Sequence, residues 1–160
     1  MSTPAGFLYA AAKAFSFLED QTFSLASHGD AEIEYESDAT RVAVAWDNRC
    51  GAVRVQVALR PTGNDPASWH ALSDVLRLRG VFREGTYDGG DATGKTSLAE
   101  RLNELANDLR LHGPKALSGD KTFFRRLDQL KRLELLVFGD KSTLGPSVSR
   151  RSPAGGIVRR

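Results

Sequence analysis

The stretch Glu32-Ile33-Glu34-Tyr35-Glu36-Ser37-Asp38-Ala39-Thr40-Arg41-Val42-Ala43-Val44-Ala45-Trp46-Asp47 decides the fold. Before Ser37 acidic residues alternate with large apolar ones, and after Thr40 the alternation resumes with β-branched residues, the period-two pattern of half-buried strands. Asp38-Ala39 separates the two runs by two residues, too few for anything but an antiparallel hairpin. With that turn Ser37 faces Thr40, Glu36 faces Arg41, Tyr35 faces Val42 and Ile33 faces Val44.

Working outward, Ala52 to Arg60 alternates in the same way. With Asn48-Arg49 as the next turn, Trp46 faces Gly51, Val44 faces Val53 and Val42 faces Val55. One sheet face then collects Ile33, Tyr35, Val42, Val44, Trp46, Val53, Val55 and Val57. The other collects Glu32, Glu34, Glu36, Arg41, Ala43, Ala45, Arg54 and Gln56. A slip of one residue would destroy this sorting. Thr22 to Ser27 is a further short strand, closed by turn residues Ser27-His28-Gly29-Asp30. The expectation is an α+β domain, an antiparallel meander of about four strands with helices packed on its apolar face.

The helices come from the flanks. Pro4 suits a first helical position, and Phe7, Leu8, Ala11, Ala12, Phe15 and Leu18 recur at helical spacing, which predicts a helix over about 4–19. Ser68 can cap a helix carrying Trp69, Leu72, Val75 and Leu76 that stops near Gly80. Residues 81–96 read as a long glycine-rich loop. Ser97 and Glu100 fit a capping box ahead of the stripe Leu98, Leu102, Leu105, Ala106 and Leu109, and Gly113-Pro114 ends that helix. A last helix starts near Asp120 and runs through Phe123, Phe124, Leu127 and Leu130 towards Val137, with Gly139 marking its end or a short strand.

Composition bounds the rest. The 160 residues are 41% hydrophobic and 26% charged, which fits one soluble globular domain and excludes wholesale disorder. The formal net charge is only +2, so no global field selects a partner. From Asp140 onward there are five basic residues and one acid, which leaves 17 basic against 19 acidic in the body. The domain is therefore read as 1–140 and a flexible basic tail as 141–160. The tail arginines could make weak phosphate contacts, but no nucleic-acid recognition module accompanies them. No apolar run is long enough to span a bilayer, and Lys13 interrupts the N-terminal one, so the expected location is the cytoplasm, with no membrane partner.

Candidate chemistry is sparse. Gly89-Gly90-Asp91-Ala92-Thr93-Gly94-Lys95-Thr96 satisfies the Walker A pattern, in which backbone N–H groups cradle phosphates, Lys95 reaches them and Thr96 holds magnesium. Together with Glu84-Gly85-Thr86-Tyr87-Asp88 it resembles the opening of thymidylate kinases, departing from it by extra residues around Asp88. A phosphate loop hangs from a buried parallel strand, and the polar residues before Gly89 do not supply one. A glycine loop ending in a helix cap is the simpler reading, and phosphate binding by Gly89, Gly94, Lys95 and Thr96 is the alternative. His28, His70 and His112 lack partners at ligand spacing and read as scattered surface residues, so no metal or other cofactor is expected. Cys50, the single cysteine, sits beside Arg49 in a turn, which is weak support for a nucleophile and excludes an intrachain disulfide.

The acidic row Glu32, Glu34 and Glu36, with Asp38 and Asp47 at the turns, is the most suggestive surface feature. One reading is a solvated face with ordinary cross-strand charge pairs. The other is a docking surface for a basic protein. The order of a helix, alternating strands in Tyr35-Glu36-Ser37, Val42-Ala43-Val44-Ala45-Trp46-Asp47 and Val53-Arg54-Val55, and Leu117-Ser118-Gly119-Asp120 opening a last helix resembles small uncharacterised bacterial proteins of the immunity type. The resemblance covers about residues 5–138. It implies a non-catalytic α+β binder that neutralises a cognate toxin, and it carries over no binding residues of its own.

Overall fold

Among the described residues five strands in sequence order form one antiparallel sheet, β1 (Ser24–His28), β2 (Glu32–Glu36), β3 (Thr40–Asp47), β4 (Ala52–Leu59) and β5 (Trp69–Ala71). The computed structural model describes residues 3–81 and 97–143. The helices are α1 (Phe7–Ala14), α2 (Leu72–Leu78), α3 (Leu98–His112), α4 (Pro114–Leu117) and α5 (Lys121–Thr143), with a 3-10 turn at Ser16–Gln21. The chain falls into two compact units, Met1–Phe124 and Arg125–Arg160.

The α+β class and the antiparallel meander are as the alternation predicts, with one more strand. Trp69–Ala71, expected to open a helix, instead extends along β4, pairing with Ala58, Val57 and Gln56. Three residues of pairing satisfy backbone groups that the β4 edge would otherwise present, and the helix begins only at Leu72. The predicted β2–β3 register holds, with Glu36 opposite Arg41, Tyr35 opposite Val42 and Ile33 opposite Val44.

The β3–β4 register is corrected by two residues. Trp46 lies opposite Val53 rather than Gly51, Val44 opposite Val55 and Val42 opposite Val57. A two-residue turn at Asn48-Arg49 would want left-handed backbone at both positions, which suits an arginine poorly. The chain uses a longer loop, in which the Gly51 N–H donates to the Asp47 carbonyl at 2.8 Å and Gly51 takes the positive φ, 64°. Because the shift is even, the two faces keep their residues.

The helices cover the apolar face, with α1 against β2, α2 against β4 and β5, α3 against β4, and α4 against β3 and β4. Val42, Val44 and Val57 are fully buried there, and Ile33, Tyr35, Val53 and Val55 nearly so. The core is completed by Phe7, Ala11, Phe15 and Leu18 from the N-terminal segment and by Leu102, Leu105 and Leu109 of α3. Each large side chain of this kind contributes about 1.5–3 kcal/mol on burial. Phe7 packs its ring 6.3 Å from that of Trp46, which ties α1 to the sheet.

Helix boundaries follow local chemistry. The first helix starts at Phe7 rather than near Pro4, because Gly6 adopts left-handed backbone at φ 78°, and it gives way to the 3-10 turn after Ala14. The α3 capping box forms as read, since Ser97 Oγ accepts from the Glu100 N–H and Glu100 Oε1 from the Ser97 N–H, both at 3.2 Å. Asp120 caps α5 by accepting from the Phe123 N–H at 3.0 Å. In the second unit α5 continues through Gly139 to Thr143, so neither a stop nor a strand occurs there. A single helical glycine costs only about 1 kcal/mol. Leu133, Leu135, Leu136 and Val137 are exposed on it. Among the described residues no helix is long and apolar enough to cross a membrane.

Candidate functional site

Strand alternation is what lines up the acids. With Ile33 and Tyr35 turned into the core, Glu32, Glu34 and Glu36 must share the opposite face of β2. Glu32 is exposed, and Glu34 and Glu36 are half-exposed. Around them stand the small side chains Ser24 and Ser27 on β1, opposite Glu36 and Glu34, and Ala43 and Ala45 on β3, opposite Glu34 and Glu32.

Compensation along the row is uneven. Glu36 takes Arg41 at 3.4 Å and Arg60 at 3.6 Å. Among the described residues neither Glu32 nor Glu34 has an ion pair. Partial burial pushes the Glu34 carboxyl above its usual value; Arg41 opposes this, and the like charges of Glu32 and Glu36 reinforce it. The sheet therefore holds a carboxylate row whose positive neighbours gather at one end.

Asp47 is on the same face at the far end of β3, but its carboxylate is engaged. Oδ2 accepts from Arg54 Nη2 at 2.5 Å and Oδ1 from the Arg49 N–H at 2.8 Å. The Arg49 N–H is the main cause of a carboxyl pKa held below the ordinary range, with help from Cys50 and the arginines 54 and 49. Asp38 stands apart, exposed in the β2–β3 turn. It lines an open groove of about 360 Å³ with Gln21, Thr22, Ser37, Leu117 and Ser118. Thr22 is the one non-glycine residue with positive φ among the described residues, at 70°. The structure thus brings together Glu32, Glu34 and Glu36, places Asp47 on their face within its own ion pair, and leaves Asp38 at the opposite end.

Arg60, Ser24 and Ser27 belong to this surface although the sequence did not single them out. Arg60 follows from the true β3–β4 register, which the turn residues hid. The serines follow from pairing β1 to β2, where a bulge between Leu25 and Ser27 shifts the alternation. Nothing in the sequence marked the backbone of Thr22.

No protein-family model matches this chain, and neither a curated protein nor a solved structure resembles it closely enough to count.

Gly89, Gly94, Lys95 and Thr96, the alternative phosphate-binding set, lie outside the described residues. On the described side, the element before them is α2 and no strand of the sheet is parallel to another. The histidines are corrected in one respect. His70 is buried on β5, its ring 6.0 Å from that of Phe124, and is part of the core rather than the surface. Among the described residues no three His, Cys, Asp or Glu side chains gather as a metal site would require. Cys50 is a free thiol exposed in the β3–β4 loop.

Proposed function

We propose that this protein is a non-catalytic protein-binding domain of the immunity type, acting in the bacterial cytoplasm, and that its acidic sheet face neutralises a basic cognate toxin. The observation that carries the reading is the row Glu32, Glu34 and Glu36 on the sheet face opposite the one that α1, α2, α3 and α4 cover, two of its members without an ion pair among the described residues. The two carboxylates without an ion pair, Glu32 and Glu34, offer local negative charge that steers encounter with a partner of the opposite sign and disfavours others. In this reading Asp38 is a further contact at the β2–β3 turn, and Asp47 borders the surface within its ion pair with Arg54.

The test is capture of the protein encoded beside this one, with affinity measured by titration calorimetry and association rate by stopped-flow mixing, at low and at physiological salt. Reversing Glu34 and Glu36 to lysine together is expected to weaken binding by about tenfold or more and to lower the association rate most at low salt. Unaltered circular dichroism confirms that the fold survives. Equal affinity of the reversed variant would remove the acidic face from the interface.

A further inference from the structure

The two edges of the sheet are handled differently. The β5 edge is three residues long, carries a buried His70 at its centre and turns at once into α2. The β1 edge is five residues long, and every one of them is exposed. Its sequence, Ser24-Leu25-Ala26-Ser27-His28, has no lysine, proline or acid to discourage a further strand, and among the described residues the bulge at Leu25/Ser27 is its sole blunting device. Alternate residues of β1 turn their N–H and C=O groups away from β2, and no backbone partner takes them among the described residues.

The side chains on this edge determine what would fit. Ser24 stands directly beside Glu36 and Ser27 directly beside Glu34, on the same face. A strand added outside β1 would lie about 10 Å from β2, two strand spacings away. Because the serines are short, a lysine or arginine on the new strand can reach across them to the carboxylates. Alternate positions of an extended strand share a face, so basic residues two apart would meet Glu34 and Glu36 in turn.

We propose that β1 is a strand-addition site for an extended peptide segment of the partner bearing basic residues at alternate positions. This rests on the acidic-face reading above and gives it a geometry. Main-chain hydrogen bonds to β1 supply affinity, and the lysine or arginine side chains passing over Ser24 and Ser27 supply selectivity. A second copy of this chain would offer no lysine or arginine on its own β1, Ser24-Leu25-Ala26-Ser27-His28.

The probe is a synthetic peptide, Thr-Lys-Val-Lys-Val-Lys-Val-Thr, titrated into the full chain and followed by fluorescence anisotropy and by amide hydrogen exchange. Binding is expected to slow exchange of β1 amides. N-methylation of alternate peptide amides should abolish binding, whichever set faces β1 being found by testing both. A glutamate-substituted peptide should bind at least about tenfold more weakly. Ser27→Lys, which fills the gap with a like charge on an exposed position, should weaken the lysine peptide similarly. Binding that survives N-methylation of either set and Ser27→Lys, yet is lost on charge reversal of Glu34 and Glu36, would overturn strand addition while sparing the acidic face. Indifference to all of these changes would sink both. A concentration-dependent dimer whose formation protects β1 amides would name the second copy as occupant and overturn the proposal.

Discussion

The two hairpin tips that flank β3 are built on different principles. The β2–β3 tip is held by distant parts of the chain. Thr40 Oγ1 donates to the Leu117 carbonyl at 2.9 Å, the Arg60 N–H donates to the Ala39 carbonyl at 2.8 Å, and Gly119 packs against Ala39. Ser37 Oγ adds local bonds, accepting from the N–H groups of Ala39 and Thr40. The β3–β4 tip is made almost wholly from its own residues, with Asp47 accepting from Arg49 and Gly51 closing the turn, while Asn48, Arg49 and Cys50 are exposed. One tip is a tertiary junction and the other a self-sufficient loop. Damage to the first should therefore propagate, and damage to the second should stay local.

The largest expected effect is at Gly119. Its φ is 77°, and a Cβ there would come within 2.6 Å of the Ala39 Cβ. Gly119→Ala combines left-handed strain with overpacking and should cost about 2–4 kcal/mol in urea unfolding. A cost below about 1 kcal/mol would show that the junction yields freely.

Thr40→Val keeps the shape and removes the hydroxyl, leaving the Leu117 carbonyl without that donor in a buried place. The expected loss is about 1–3 kcal/mol. A midpoint equal to that of the wild type would mean that Leu117 finds another donor, and the contrast between the tips would blur.

The smallest effect belongs to the loop. The Asp47 carboxyl pKa is lowered in the fold, so its ionised form is stabilising above the unfolded value of about 4 and that contribution is lost as pH falls through the folded value. Asp47→Asn should therefore be slightly less stable than wild type near neutrality, and the gap should close in acid. A gap that persists well below that pH would assign the effect to side-chain shape rather than charge.

The same contrast explains what the sequence could and could not say. Face assignment was legible throughout β2, β3 and β4, because a side chain's parity is fixed by its position and the apolar residues obey it. Loop length at Asn48-Arg49-Cys50-Gly51 was not, since a two-residue shift leaves every residue on its own face and parity cannot detect it. The β5 strand was hidden for a related reason. Trp69-His70-Ala71 is too short to show a period, and its pairing depends on where β4 happens to end. Glu32, Glu34 and Glu36 were legible as a row because they obey parity. Their uneven compensation was not, because Arg60 reaches Glu36 only once the register is known. Strain at Thr22 left no trace in residue type at all.

The isolated loop also has a practical consequence. The single thiol of the chain, Cys50, is exposed there, at the opposite end of β3 from Asp38. Eight strand residues separate the two ends by about 25 Å. A spin label or fluorophore attached at that sulfur would need no cysteine engineering elsewhere. It would sit far from the Asp38 groove and, through proximity broadening or energy transfer, report how near any visitor comes to the sheet.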